Sequence, residues 1–121
     1  DDLGQLYDGV AVTLDDGKDC DIRAKLEHNC ADNLAANQIL GMNRSFSKGH
    51  YCRFCYAVAE LCARMVSPDC SHYRSSTLHQ RDVDTVLINP GYSKQTGVRE
   101  RSALSEIPYL SIIDSTVPDI M

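Results

Sequence analysis

Residues 9–14 alternate apolar with polar, Asp15-Asp16-Gly17 interrupts them, and Cys20, Ile22, Ala24, Leu26, His28 and Cys30 then recur at a period of two. A period of two puts successive side chains on opposite faces of a strand, and Asp-Gly is turn chemistry. The pattern therefore predicts a β-hairpin whose second strand is long. At Asp32 the period changes. Asn33-Leu-Ala-Ala-Asn-Gln-Ile-Leu40 consists of good helix formers and Gly41 stops the run, which predicts a short helix with Asp32 at a strand-to-helix corner.

Residues 43–48 are polar and lead into the Cys52-Arg-Phe-Cys55 turn. Over 56–66, Val58, Leu61, Cys62 and Met65 share one helical face before Ser67-Pro68 ends the run, so Cys62 reads as a small core residue. Residues 81–89 suit a helix or a strand equally. Asn89-Pro90-Gly91 marks a turn, and the polar stretch to Glu100 reads as exposed or mobile. Beyond it the pattern predicts a helical turn at 102–106, a short buried strand at 109–113 and a helix opening at Pro118. The order hairpin, helix, insertion, strand predicts a mixed α/β fold rather than a bundle or a sandwich.

Composition narrows this picture. With 121 residues, 43% of them hydrophobic, the chain has the length of one domain and enough apolar side chains for a modest core. It starts at Asp1 without an initiator methionine and ends at Met121 within an apolar stretch, and so reads as an excerpt from a longer polypeptide. No apolar run approaches the roughly 20 residues that span a bilayer, and Asp1-Asp2 is not the start of a signal sequence. A formal charge of −5 repels phosphate and argues against autonomous nonspecific nucleic-acid binding.

The six cysteines, at 20, 30, 52, 55, 62 and 70, admit a secreted disulfide framework or reduced thiols with one metal site. If Cys20 and Cys30 share one extended strand, they stand about 30 Å apart, against roughly 5.5 Å for a disulfide, and cannot pair with each other. Spacing favours the metal site. Cys52 and Cys55, two residues apart, can reach one zinc ion because the intervening turn brings both sulfurs to one tetrahedral edge. That is half a ligand set; Cys70 and His72 are the next candidates, with His50 and His79 behind them. A thioredoxin-like redox pair needs a strand before the motif, and residues 45–49 make a poor one. Asp32 reads either as a helix cap or as a carboxylate holding a catalytic divalent cation at a strand end.

Several segments in order, Val10-Ala-Val-Thr-Leu-Asp-Asp-Gly-Lys18, Ala31-Asp-Asn-Leu34, Leu40-Gly-Met-Asn-Arg-Ser-Phe-Ser47, Tyr51-Cys-Arg-Phe-Cys55, Leu104-Ser-Glu-Ile-Pro-Tyr109 and Val117-Pro-Asp-Ile-Met121, resemble transposon-derived proteins related to CACTA-type transposases with an RNase H-like core. The resemblance implies a partial RNase H-like core over 1–42, a zinc-binding insertion over 43–101 and a return segment over 102–121. It implies Asp32 as the second of three carboxylates that hold magnesium or manganese for phosphoryl transfer on DNA, with structural zinc at Cys52 and Cys55, twenty positions on. It also implies a nuclear, DNA-processing parent able to dimerise, and a chain inactive alone. Ala31 and Ala35 stand where the family places glycine. The alternative, from a different class, is a stand-alone zinc-binding interaction module with Cys52, Cys55, Cys70 and His72 as its ligands.

Overall fold

A computed structural model describes residues 2–64 and 73–117. Helix α1 (Asp2–Asp8) leads into the antiparallel strands β1 (Val10–Thr13) and β2 (Asp19–Ile22), in register Val10↔Ile22 to Thr13↔Asp19. The turn between them holds Gly17 at φ +80°, a conformation open to glycine because it has no Cβ. The second strand is shorter than its alternation predicts. β1 offers only four residues of partner backbone, so beyond Ile22 the N–H and C=O groups have no ladder to join. Past it the contacts are scattered: Ala24 N–H donates to Leu6 O at 2.9 Å, and Asn29 forms a parallel bridge to Thr116.

Helix α2 (Asn33–Ile39) starts as expected, with Asp32 Oδ1 accepting the Ala35 N–H at 2.8 Å. It ends at Gly41, φ +68°, where an added Cβ would collide with the Glu100 carbonyl. Ala36, Asn37 and Leu40 are buried, and the end of α2 is fastened to the later chain by the Met42↔Val98 bridge and by Ser102 Oγ donating to Ile39 O at 2.7 Å. The helix over 56–66 shrinks to one turn, α3 (Ala59–Cys62), with Val58 and Leu61 exposed and Cys62 half-buried; Met65, Ser67 and Pro68 lie outside the described residues. Small Ala57 and Ala59 are the buried residues there, because backbone packs closely around them.

The ambiguous 81–89 segment belongs to α4 (Ser76–Ile88), capped by Ser75 Oγ. Val83 and Val86 of α4 pack with Val98 and the ring of Tyr92. Val98 is 0% exposed, so the stretch before Glu100 is not an exposed loop. Asn89 Oδ1 accepts from Gly91 N, Pro90–Tyr92 forms a 3₁₀ turn, and α5 (Ser93–Thr96) returns the chain across α4. That reversal delivers Val98 into the core and leaves Arg99 and Glu100 exposed. A 3₁₀ turn at Ala103–Glu106 meets the expectation for 102–106. Residues 109–113 form no strand: Ser115 Oγ and Thr116 Oγ donate to the carbonyls of Ser111 and Ile112, a side-chain competition that favours turns over ladders. The architecture is mixed helix with one two-stranded antiparallel sheet; Pro118 lies outside the described residues.

Candidate metal centre

The Cys-x-x-Cys turn is held from below by α2. Buried Asn37 donates through Nδ2 to the carbonyls of Asn43 and Tyr51, each at 2.8 Å, so one amide fixes both ends of the 43–51 loop. Tyr51 packs edge-on against Phe46. From there the chain folds back on itself, with an antiparallel bridge His50↔Val58 and Ala59 N–H donating to Gly49 O at 2.9 Å. The hairpin rests on Gly97, φ +78°, where a Cβ would strike the His50 carbonyl. Its outer limb meets the chain again at the Cys55↔Tyr73 bridge, with Arg74 N–H donating to Phe54 O at 2.8 Å.

Cys52 and Cys55 both sit on this turn, Cys55 buried and Cys52 half-buried. Burial pushes the Cys55 thiol up to about 11, with the Ala57 backbone opposing and Cys52 adding to the rise. A thiol held protonated in this way is a poor nucleophile. Both cysteines line a cavity of about 550 Å³ together with Tyr73, Arg74, Asp114 and Thr116.

The other candidates divide. His50 Nδ1 lies 2.8 Å from Tyr56 O, so its proton sits on Nδ1 and is committed to that carbonyl. His79 is buried in α4 and lines a separate cavity of about 190 Å³. Cys70 and His72 lie outside the described residues; Tyr73, paired with Cys55, follows them in sequence by three and one positions. Among the described residues no three His, Cys, Asp or Glu side chains converge to hold a metal, and the five described cysteines are free thiols. Asp32 is exposed and capped onto α2. Its neighbour Asn33 is joined to the turn: Arg53, buried between the two cysteines, donates through Nη1 to Asn33 Oδ1 at 2.8 Å.

Behind the turn lies a polar cluster absent from the sequence-based expectation. Arg74 and Asp82 have fully buried side chains, 3.6 Å apart. Asp82 Oδ2 accepts the Tyr56 hydroxyl at 2.7 Å and Oδ1 accepts from Arg81 at 3.2 Å, while Arg74 lies over the Tyr56 ring at 4.1 Å and donates to Thr96 O at 2.6 Å. Burial, reinforced by the bond to Asp82, raises the Tyr56 phenol to about 12. His79, beside this cluster, has no partner for either ring nitrogen, and burial, followed by the Arg74 charge, lowers it to about 4 against an opposing effect of Asp82. The available signal was spacing: His79, Asp82, Val83 and Val86 fall on one helical stripe. No family model, no curated protein and no solved structure matches this chain. No helix among the described residues is long and apolar enough to cross a membrane.

Proposed function

We propose that this chain belongs to a transposase-like DNA-processing protein with an RNase H-like core, in which Cys52 and Cys55 form half of a structural zinc site that braces the Asp32 corner. The observation that carries the reading is the 2.8 Å bond from Arg53 to Asn33. It joins the Cys-Arg-Phe-Cys turn to the Asp-Asn-Leu corner, two of the segments that carry the family resemblance, although twenty positions separate Arg53 from Asn33. Zinc at the turn would hold its hairpin shape, and Arg53 would transmit that rigidity to the residue next to Asp32. The exposed Val12, Leu14 and Ile22 of the β1–β2 hairpin are what a larger sheet would cover.

The donor set suits half of a zinc site: two thiols two residues apart on a tight hairpin, lining one cavity. Cys70 and His72, a Cys-x-His pair placed just before Tyr73, would supply the remaining ligands. Zinc there supplies folding free energy and fixed geometry. The reduced chain is expected to take up about one zinc ion, and cobalt in its place to show a thiolate-to-metal charge-transfer band. A missing band, or one that persists in the Cys52→Ser, Cys55→Ser double variant, overturns the zinc reading. For the DNA-processing half of the proposal, Asp32→Asn in the full-length parent should abolish magnesium-dependent strand transfer, because an amide is a weak ligand for a hard cation. Undiminished transfer would leave Asp32 as a helix cap alone.

A further inference from the structure

The guanidinium of Arg74 is not fully accounted for by the groups around it. Its side chain is 0% exposed, yet Nε and Nη1 have no hydrogen-bond partner. Nη2 is spent on Thr96 O, and the Tyr56 ring covers one face. Asp82, at 3.6 Å from Nη1, is an ion-pair partner beyond hydrogen-bond length, and its two oxygens are already engaged by Tyr56 and Arg81. A buried N–H without an acceptor is costly, so two of them on one residue call for a partner.

Arg74 shares one cavity with four residues that carry acceptors: Cys52, Cys55, Asp114 and Thr116. Asp114 is exposed and its Oδ2 accepts from the Ser111 and Ser76 hydroxyls, while Thr116 donates to the Ile112 carbonyl. Of the four, the two cysteines gain acceptor strength when a metal binds. As neutral thiols they are weak acceptors, but metal binding deprotonates them, and thiolate sulfur is both charged and able to accept.

We propose that Arg74 is the positioning cation of the thiolate metal site, its Nε–H and Nη1–H groups bonding to the sulfurs of Cys52 and Cys55 once a divalent soft metal has displaced their protons. The inference rests on the zinc reading above and adds to it the outer group that sets metal affinity. Arg74 would then serve two layers at once: through Thr96 and Asp82 it is anchored to α5 and α4, and through its free donors it neutralises charge on the sulfurs. Partners of this outer kind orient ligands and tune the affinity of a metal site.

The test needs no variant at first. The reduced wild-type chain, labelled on arginine nitrogen, is loaded with spin-active cadmium and examined by NMR. The expected result is a cadmium resonance in the thiolate range and a scalar coupling from the Arg74 Nε proton to cadmium through the sulfur. A thiolate-bound cadmium with no coupling to any Arg74 proton overturns the inference and leaves the metal site standing. No thiolate-bound cadmium at all overturns the zinc reading and this inference with it. Arg74→Lys then supplies the magnitude. Lysine keeps the charge but cannot span Asp82, Thr96 and the sulfurs, so zinc affinity should fall about tenfold and the cobalt charge-transfer band should move to lower energy. Unchanged affinity and band position in the folded variant would contradict the proposal, and a variant that fails to fold leaves the decision to the cadmium coupling.

Discussion

Residues 2–35 contain a helix, a hairpin and a cap, and none of them is buried; residues 36–117 contain every buried side chain that the described chain possesses. The first region is regular and open. Its strands satisfy each other's backbone, but an isolated two-stranded hairpin gains little stability without a third strand or a helix on its face. It is tied to the rest by the stack of Tyr7 on Tyr109, by the Tyr109 hydroxyl accepting from Leu26 N–H, and by the Asn29↔Thr116 bridge. The second region is closed: the thirteen-residue α4, shorter helices and isolated bridges gather around Val83, Val86 and Val98 with an Arg74–Asp82 pair inside. Burial thus falls on one side of the comparison, and stability should follow burial.

The sharpest way to break the comparison is Asp82→Ala. It leaves Arg74 buried without a counter-charge and takes the acceptor from the Tyr56 hydroxyl, for a loss of about 3–5 kcal/mol. That is a large share of a small domain's stability. Urea unfolding followed by tyrosine fluorescence measures it, and a loss under about 1 kcal/mol would remove the pair from the core's account.

Next in size is the acid response of His79. Its folded value, about 4, lies below the ordinary 6.5, so the folded state resists protonation. The stability it contributes is complete above about pH 6.5 and is lost as the pH falls towards 4, on the order of 3 kcal/mol in all. Arg74 and Asp82 are the charged groups facing it, with opposite effects. In His79→Gln the midpoint of unfolding should lose most of its slope across that window; an unaltered slope would assign the acid sensitivity to other groups.

Smaller effects test the open half. Asp32→Ala removes the acceptor of the Ala35 N–H and should cost about 1 kcal/mol, whereas Asp32→Asn, which caps about as well, should change thermal stability by only a few tenths. Equal losses in both would tie stability to the charge instead of the cap. Last, Val12→Ser in β1 should shift stability by less than about 0.5 kcal/mol, since Val12 is exposed. In hydrogen exchange, the β1–β2 amides should open at far lower free energy than those of Val83 and Val86. Matching protection in both regions would mean that the hairpin is buried by something that these contacts do not include.

Much of the local structure was legible in the sequence. The turn at Asp15-Asp16-Gly17, the Asp32 cap, the stop at Gly41 and the turn at 103–106 each depend on a few adjacent residues and their own backbone conformations. The errors share a cause as well. The 20–30 alternation promised a strand, but a strand exists only where a ladder continues, and past Ile22 the pairing is reduced to an isolated bridge at Asn29. The 109–113 apolar run lost to Ser and Thr hydroxyls bonding back to the chain, and Val98 was read as exposed because its neighbours are polar.

The candidate site divides along the same line. Spacing alone singled out Cys52 with Cys55 as a pair able to share a metal, and Asp32 as a cap or a ligand, because both inferences concern residues within one turn of chain. Only the tertiary structure placed Arg53 on Asn33, Asn37 beneath the 43–51 loop, and Arg74 with Asp82 behind the cysteines. Those contacts join residues that nothing in the local pattern connects. A buried charge is stable only beside its partner, and where that partner lies depends on how the whole chain closes around its core.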